Sequence, residues 1–200
     1  MKKGFLLIAM IVFGATAAQA QQEWGFGAKA GINFANISGN DFGDADGRTS
    51  FYAGLVGELP IVDNLFSIQP EVMYSGQGFT IAQRDQDNFL DTDDNTEYQL
   101  DYINVPVLAK IYLVEGLSVQ AGPSFNFKVN EEIDYAPLDD DGDINVDEAK
   151  GFEVGGVVGL EYKLSSGIFI QGRYNYGFTD ILDQGDVHNS VFQAGLGFMF

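Results

Sequence analysis

The residues best suited to covalent chemistry in this chain lie near its end, where Asp186, His188 and Ser190 follow one another at intervals of two. An acid, a base and a nucleophile could form a catalytic set, but such a set is defined by its geometry, and these residue types often meet in a short segment by chance. The sequence contains no nucleophile in a strained Gly-x-Ser-x-Gly turn. With one His and no Cys, a structural zinc site is not expected either. The sequence therefore predicts no enzymatic activity.

A second candidate site is the acidic segment at residues 137–148, "PLDDDGDINVDE". Its spacing matches a twelve-residue EF-hand loop at most positions, and calcium binds hard oxygen ligands around a sharp turn at glycine, here Gly142. Two features depart from that pattern, because Pro137 takes the first ligand position and the flanking segments read as strands. The alternatives are a weak Ca²⁺ site and a solvated acidic loop, and no other cofactor is expected. The candidate ligands are Asp139, Asp141, Asp143, Asn145 and Glu148.

A third set of candidates consists of charged residues on the polar faces of segments in which apolar and polar residues alternate. Alternation with period two predicts β-strands. If the strands close into a barrel, these charges point inward and must pair, because isolated buried charges are costly. An eight-stranded barrel is just wide enough for side chains to fill it, so we favour a structural plug over a narrow ion or proton path, and expect no solute-conducting porin. The predicted lumen network comprises Lys29, Glu58, Glu71, Lys110, Lys128, Glu153, Glu161, Lys163 and Arg173.

Eight alternating segments would have to position these groups. Most reach the roughly 9–11 residues that cross a bilayer, whereas soluble strands usually have about 5–6. Their connections alternate between tight turns, at 62–64, 114–116 and 165–166, and longer polar stretches. This pattern predicts an all-β fold, an eight-stranded antiparallel up-and-down transmembrane β-barrel with both termini in the periplasm; a soluble β-sandwich is the alternative. Within residues 97–113 the apolar phase changes, which predicts a β-bulge near Asn104.

The beginning of the chain and its charge indicate export. Residues 1–20 combine Lys2 and Lys3, an apolar run and an "AQA" cleavage site, which predicts a cleaved signal peptide followed by a barrel domain at 21–200. Without Lys2 and Lys3, 8 basic residues stand against 29 acidic ones, a formal charge of −21. This charge argues against binding nucleic acid and favours cations or basic partners.

The final segment, "SVFQAGLGFMF", alternates strongly and is expected to close the sheet against the first strand. A signal peptide, eight strands and a terminal Phe together resemble bacterial outer-membrane proteins, in which the last strand and its Phe, here Phe200, are a signal for the barrel-assembly machinery. More narrowly, three segments resemble the PorT-like outer-membrane barrel family of Bacteroidota: residues 30–39, residues 102–113 with their Tyr-x-x-x-Pro-x-x-x-Lys pattern, and residues 121–127. This resemblance implies a small barrel without a catalytic signature, and a link to protein secretion through the family's namesake.

We therefore expect a non-enzymatic integral outer-membrane barrel whose acidic extracellular loops bind a partner or cations, or which stabilises the envelope. A secretion-associated PorT-like component is one alternative. A lipid-modifying outer-membrane enzyme that uses His188 at the rim is another. The expected partners are outer-membrane lipid, the barrel-assembly machinery and an extracellular or secretion partner, and the chain is expected to be a monomer.

Overall fold

Eight long antiparallel strands close into a barrel. The computed structural model describes residues 24–38, 45–82, 95–134, 144–145, 150–179 and 188–200. The strands are β1 (Gly25–Ser38), β2 (Ala45–Val62), β3 (Phe66–Ala82), β4 (Asn95–Val114), β5 (Leu117–Asp134), the two-residue β6 (Ile144–Asn145) beside β5, β7 (Phe152–Lys163), β8 (Ile168–Gly177) and β9 (His188–Met199). Neighbouring strands follow the order β4-β3-β2-β1-β9-β8-β7-β5, and β4 also pairs with β5, which completes the ring. The predicted eight-stranded up-and-down β-barrel is therefore confirmed.

The first and last long strands form the seam of the barrel. Their pairing runs from Gly27 opposite Met199 to Ser38 opposite His188 without a register shift. Beyond it, the backbone N–H of Phe200 donates to the carbonyl of Phe26 at 2.7 Å. The C-terminal strand thus closes the sheet, as its alternation predicts.

The two ends of the barrel have different connections. At the turn end, short turns join β2 to β3, β4 to β5 and β7 to β8. Positive φ angles at Asn64, Gly116 and Gly167 make these turns tight, and a Cβ on Gly116 would lie 2.5 Å from the carbonyl oxygen of Lys163. At the loop end, the connections 39–44, 83–94, 135–149 and 180–187 leave and re-enter the strands.

Alternation along each strand separates an apolar outside from a polar inside. Leu55 is 67 % exposed and Leu196 is 63 % exposed on the outer face, while inward residues such as Gln120 and Gln193 are buried. Such a protein is inverted relative to a water-soluble fold, because its large apolar side chains cover the surface. Within the described residues, no helix has the length and hydropathy needed to cross a membrane.

A register shift lies near Asn104, as predicted, but the extra residue is on β5 rather than on β4. Strand β4 keeps one phase throughout, and Asn104 pairs regularly with Met73 on β3 and Asn126 on β5. The register shift lies between Asp101 and Tyr102, where β5 carries an extra residue. The apparent phase change arises because the inward face of β4 is apolar at Leu100 and Tyr102, whereas the outward face becomes apolar only from Ile103 onward.

Two inward positions of β9, Gly195 and Gly197, have no side chain, and the rings of Tyr52 and Phe169 fill the space that side chains would take there. A Cβ on Gly195 would lie 2.1 Å from the hydroxyl oxygen of Tyr52, and one on Gly197 would lie 2.2 Å from the Phe169 ring. The Tyr52 hydroxyl in turn accepts a hydrogen bond from Gln171 at 2.8 Å. Glycine is therefore required here by close packing.

We expect Gly195→Ala to lower the free energy of unfolding by about 1–3 kcal/mol, as overpacking does in a filled interior. Urea unfolding of the barrel in detergent micelles, followed by the fluorescence of Trp24, measures the change. Gly57→Ala is the matched control, because the nearest atom to its Cβ would be 3.6 Å away. A change of less than about 0.5 kcal/mol is expected there. Equal losses at the two positions would contradict this account of Gly195.

Candidate functional site

The centre of the barrel interior is a fully buried cluster around Glu71 on β3. Arg173 on β8 donates to both carboxylate oxygens of Glu71, at 2.7 and 2.6 Å. Lys29 on β1 pairs with the same carboxylate at 2.6 Å, and Gln69 donates to it at 2.8 Å. Arg173 also donates to Gln120 Oε1 at 2.7 Å. One carboxylate thus meets two cations, in the charge-assisted and bidentate geometry that is strongest for such pairs.

The cluster continues toward the turn end through an unbroken series of contacts. Gln120 Nε2 donates to Glu161 at 2.7 Å, and Lys110 pairs with Glu161 at 2.6 Å. Lys110 also pairs with Glu58 at 3.2 Å, and Lys163 reaches the same carboxylate at 3.0 Å. We call this series the ion-pair network; its members are Lys29, Glu58, Glu71, Lys110, Gln120, Glu161, Lys163 and Arg173.

The network joins seven of the eight long strands, because inward positions at the same level are brought together when the sheet closes. Its four cations face three carboxylates, so each charge has an opposite neighbour. Pairing of this kind offsets the large penalty for removing ions from water. It also fills the cross-section with side chains that water does not reach, and Arg173 is 1 % exposed.

A vestibule of about 780 Å³ opens at the turn end and stops at the network. Its lining includes Glu58, Ser67, Tyr112 and Lys163, together with residues of the three turns. Tyr112 donates to the Glu58 carboxylate, and Lys163 donates to the Tyr112 hydroxyl at 3.2 Å. Along β3, the buried Glu71 lies between Ser67 and the loop end, so the vestibule is a recess in a filled barrel.

The loop-side half of the interior is held by neutral amides and hydroxyls, which we call the amide cluster. Asn33 donates to Ser75 Oγ at 2.9 Å and to the carbonyl of Gly76 at 2.6 Å, and it accepts from Gln193 at 2.8 Å. Asn189 donates to Gln77 in the same way. Buried polar groups of this kind are normally hydrogen-bonded, and here they form cross-links between strands.

The structure brings seven of the nine predicted lumen residues together in the ion-pair network. The other two, Lys128 and Glu153, lie in the loop-side half: Lys128 pairs with Glu131, and Glu153 accepts from Asn126 at 2.8 Å. Sequence reasoning missed the uncharged side chains of the interior, such as Gln120, Tyr112 and those of the amide cluster. The same alternation places them inward, so the signal was present in the polar faces of the strands.

The predicted calcium ligands fall outside what the structure describes. This applies to Asp139, Asp141, Asp143 and Glu148, whereas Asn145 belongs to β6 and pairs through its backbone with Glu132. Within the described ranges, no group of three or more His, Cys, Asp or Glu side chains could hold a metal ion. The calcium site therefore stays a prediction.

His188 lies on the outer face at the loop end, in an aromatic ladder. Its ring is 5.7 Å from that of Tyr176, which in turn contacts the rings of Tyr174 and Phe178. The Ser190 hydroxyl is 2.8 Å from the Tyr174 hydroxyl, and Asp186 is outside the described residues. The described contacts are those of an aromatic belt at a membrane interface.

Comparisons with known proteins agree with this architecture. A family model described as an outer membrane protein beta-barrel domain matches residues 18–183. The crystal structure of Neisserial surface protein A superposes with a TM-score of 0.59 at 14 % identity, covering 88 % of this chain and 97 % of that one. The crystal structure of Ail of Yersinia pestis, in complex with the heparin analogue sucrose octasulfate, superposes with a TM-score of 0.55 at 11 % identity, covering 89 % of this chain and 99 % of that one. No curated protein matches the chain by sequence.

We expect Arg173→Met to lower the free energy of unfolding by about 3–5 kcal/mol, because it leaves Glu71 buried with half of its compensation. Lys163→Met is the control; its side chain is 28 % exposed and Glu58 keeps Lys110, so a loss of about 1 kcal/mol or less is expected. Urea unfolding measures both. The double variant with Glu71→Gln and Arg173→Met should lose less free energy of unfolding than the sum of the losses in the two single variants. Strict additivity would show that the pair is not coupled.

Proposed function

We propose a function for this chain on the premise that it belongs to the outer membrane protein β-barrel domain family. It is a bacterial outer-membrane protein with a small eight-stranded barrel. We propose that the barrel is a closed, non-enzymatic anchor, and that its acidic loop-end connections bind cations or a basic partner outside the cell. In this arrangement both termini lie in the periplasm.

The observation that carries the proposal is the filled interior. Arg173, Glu71 and Lys29 are fully buried at the centre of the barrel and bonded to one another at 2.6–2.7 Å. A solute would have to break several charge-assisted bonds to pass, each of them strengthened by the low local dielectric. Since the interior supports structure, the surface available for recognition is at the two ends.

The composition of the loop-end connections indicates what they would bind. The segments 39–44, 83–94, 135–149 and 180–187 contain two, five, six and three acidic residues respectively, and Arg84 is their single basic residue. Charge of one sign concentrated at one end of a protein attracts ions and partners of opposite sign. Sucrose octasulfate, which Ail binds in its crystal structure, is a polyanion, and these connections would repel such a ligand. Participation in secretion, as for PorT, stays a prediction.

We expect the purified barrel to show no discrete conductance steps in a planar bilayer in concentrated KCl. The reason is that the ion-pair network fills the cross-section between the vestibule and the loop end. A maltoporin sample of known conductance, inserted in the same bilayers, verifies that openings can be detected. Regular, reproducible steps from the wild-type barrel would contradict a closed anchor and favour an ion path.

We expect removal of residues 136–149 to weaken binding of Ca²⁺ and of a lysine-rich peptide to the barrel in nanodiscs, because the deletion removes six acidic residues. Calorimetric titration measures both ligands. A matched control keeps the length and removes four of the six acidic charges, with Asp139, Asp141 and Asp143 changed to Asn and Glu148 changed to Gln. Weaker binding in the deletion variant but not in the charge variant would show that the shape of this connection matters rather than its charge. Unchanged binding in both variants would exclude this connection as the binding site.

A further inference from the structure

One interior carboxylate has no Lys or Arg partner among the described residues. Glu153, on β7, is 4 % exposed in the loop-side half of the barrel. Its Oε1 accepts a hydrogen bond from Asn126, and Asn189 lies close enough to interact with the carboxylate, but the buried Oε2 has no hydrogen-bond partner of normal geometry among the described residues. The network cations are engaged by Glu58, Glu71 and Glu161 on the turn side, and Lys128 in the loop-side half pairs with Glu131.

A small cavity lies beside this carboxylate. Its volume is about 10 Å³, which is room for one water-sized particle, and its lining includes Glu153, Asn104, Asn126 and Asn175. Asn104 is 3 % exposed, and its Oδ1 is a second buried acceptor without a partner. The Nδ2 of Asn175 is also unpartnered, and the opposite amide orientation would present a third oxygen. Unpartnered groups from three strands thus meet at one cavity.

Strand register explains why these groups converge. Asn104, Asn126 and Glu153 are successive cross-strand neighbours on β4, β5 and β7, and all three point inward. On β8, a Cβ at Gly177 would lie 2.9 Å from Glu153 Cδ, so the glycine leaves room for the carboxylate. The arrangement is a feature of the rigid strands rather than of the connections.

We propose that Glu153, Asn104 and Asn175 bind one sodium-sized monovalent cation in this cavity. A buried carboxylate without a counter-charge is costly, and a water molecule would satisfy its hydrogen bonds while leaving the charge unpaired. A divalent ion would leave excess positive charge, because the cavity has a single carboxylate. Carboxylate and amide carbonyl oxygens are the ligands that hard cations take.

The acidic connections at the same end of the barrel support this assignment. Their negative charge raises the local concentration of cations at this end of the barrel, whether or not the connections also bind a partner. The site differs from the acidic segment 137–148 in its residues and in its ligand, because it consists of strand side chains and neutral amides around one carboxylate.

The test measures thermal unfolding of the full barrel in detergent micelles in NaCl, KCl or N-methyl-D-glucamine chloride at constant ionic strength. The pH is held near 8 in every sample, so that only the cation differs between them. For the wild type, the folding equilibrium constant should rise in proportion to the sodium concentration above the dissociation constant. Potassium should act more weakly, and N-methyl-D-glucamine, which is too large for the cavity, should have no effect.

Three variants test whether the stabilisation by sodium arises at this cavity. Glu153→Gln should abolish the sodium response, while Glu115→Gln, which removes a carboxylate from an exposed turn, should keep it. Gly177→Ala retains the carboxylate but places a methyl group against it, so it should reduce the response; it also serves if Glu153→Gln does not fold. An equal response to sodium in the wild type and in Glu153→Gln would overturn the proposal. No response in the wild type would also overturn it, and would mean that a proton rather than a cation neutralises Glu153.

Discussion

The pairing of β9 with β1 joins the two edges of an otherwise open sheet, and the rest of the barrel depends on it. In the hydrocarbon of a membrane there is no water to satisfy an unpaired N–H or C=O group, so a sheet is tolerated there only when it has no edge. Twelve consecutive residue pairs, from Gly27 to Ser38 on β1, form this seam without interruption. Once the ring is closed, every second side chain must face lipid and every other one must face the interior.

The interior solves the problem of polar burial differently in its two halves. On the turn side, the carboxylates of Glu58, Glu71 and Glu161 alternate with four cations, so that the charge is neutralised within a few ångströms. On the loop side, amides such as Asn33 and Gln193 cross-link the strands without charge. Lys128 and Glu131 form an ion pair in this half, whereas Glu153 has no Lys or Arg partner among the described residues, and this contrast makes its surroundings chemically distinct.

Much of the fold was predictable, because period-two alternation and the uneven connections follow directly from closure in a membrane. The pairing partners were not, since Glu71 meets Lys29 from 42 residues away and Arg173 from 102 residues away, and only strand register decides such contacts. The bulge was assigned to the wrong strand because the outward face of β4 becomes apolar only from Ile103 onward, which imitates a change of phase. Strand β2 also begins at Ala45, before its apolar alternation starts, because backbone pairing continues beyond the apolar band.

The glycines at Gly195 and Gly197 bear on the order in which the molecule can fold. At the level of the ion-pair network, β9 contributes backbone and space for the rings of Tyr52 and Phe169, but no charged side chain. Every ion pair of the network can therefore form while the sheet is still open along its last edge. The dehydration of charge and the closing of the ring need not coincide, because closing the seam with β9 buries aromatic rings, main chain and neutral amides such as Gln193 and Asn189, and β9 adds no member of the ion-pair network.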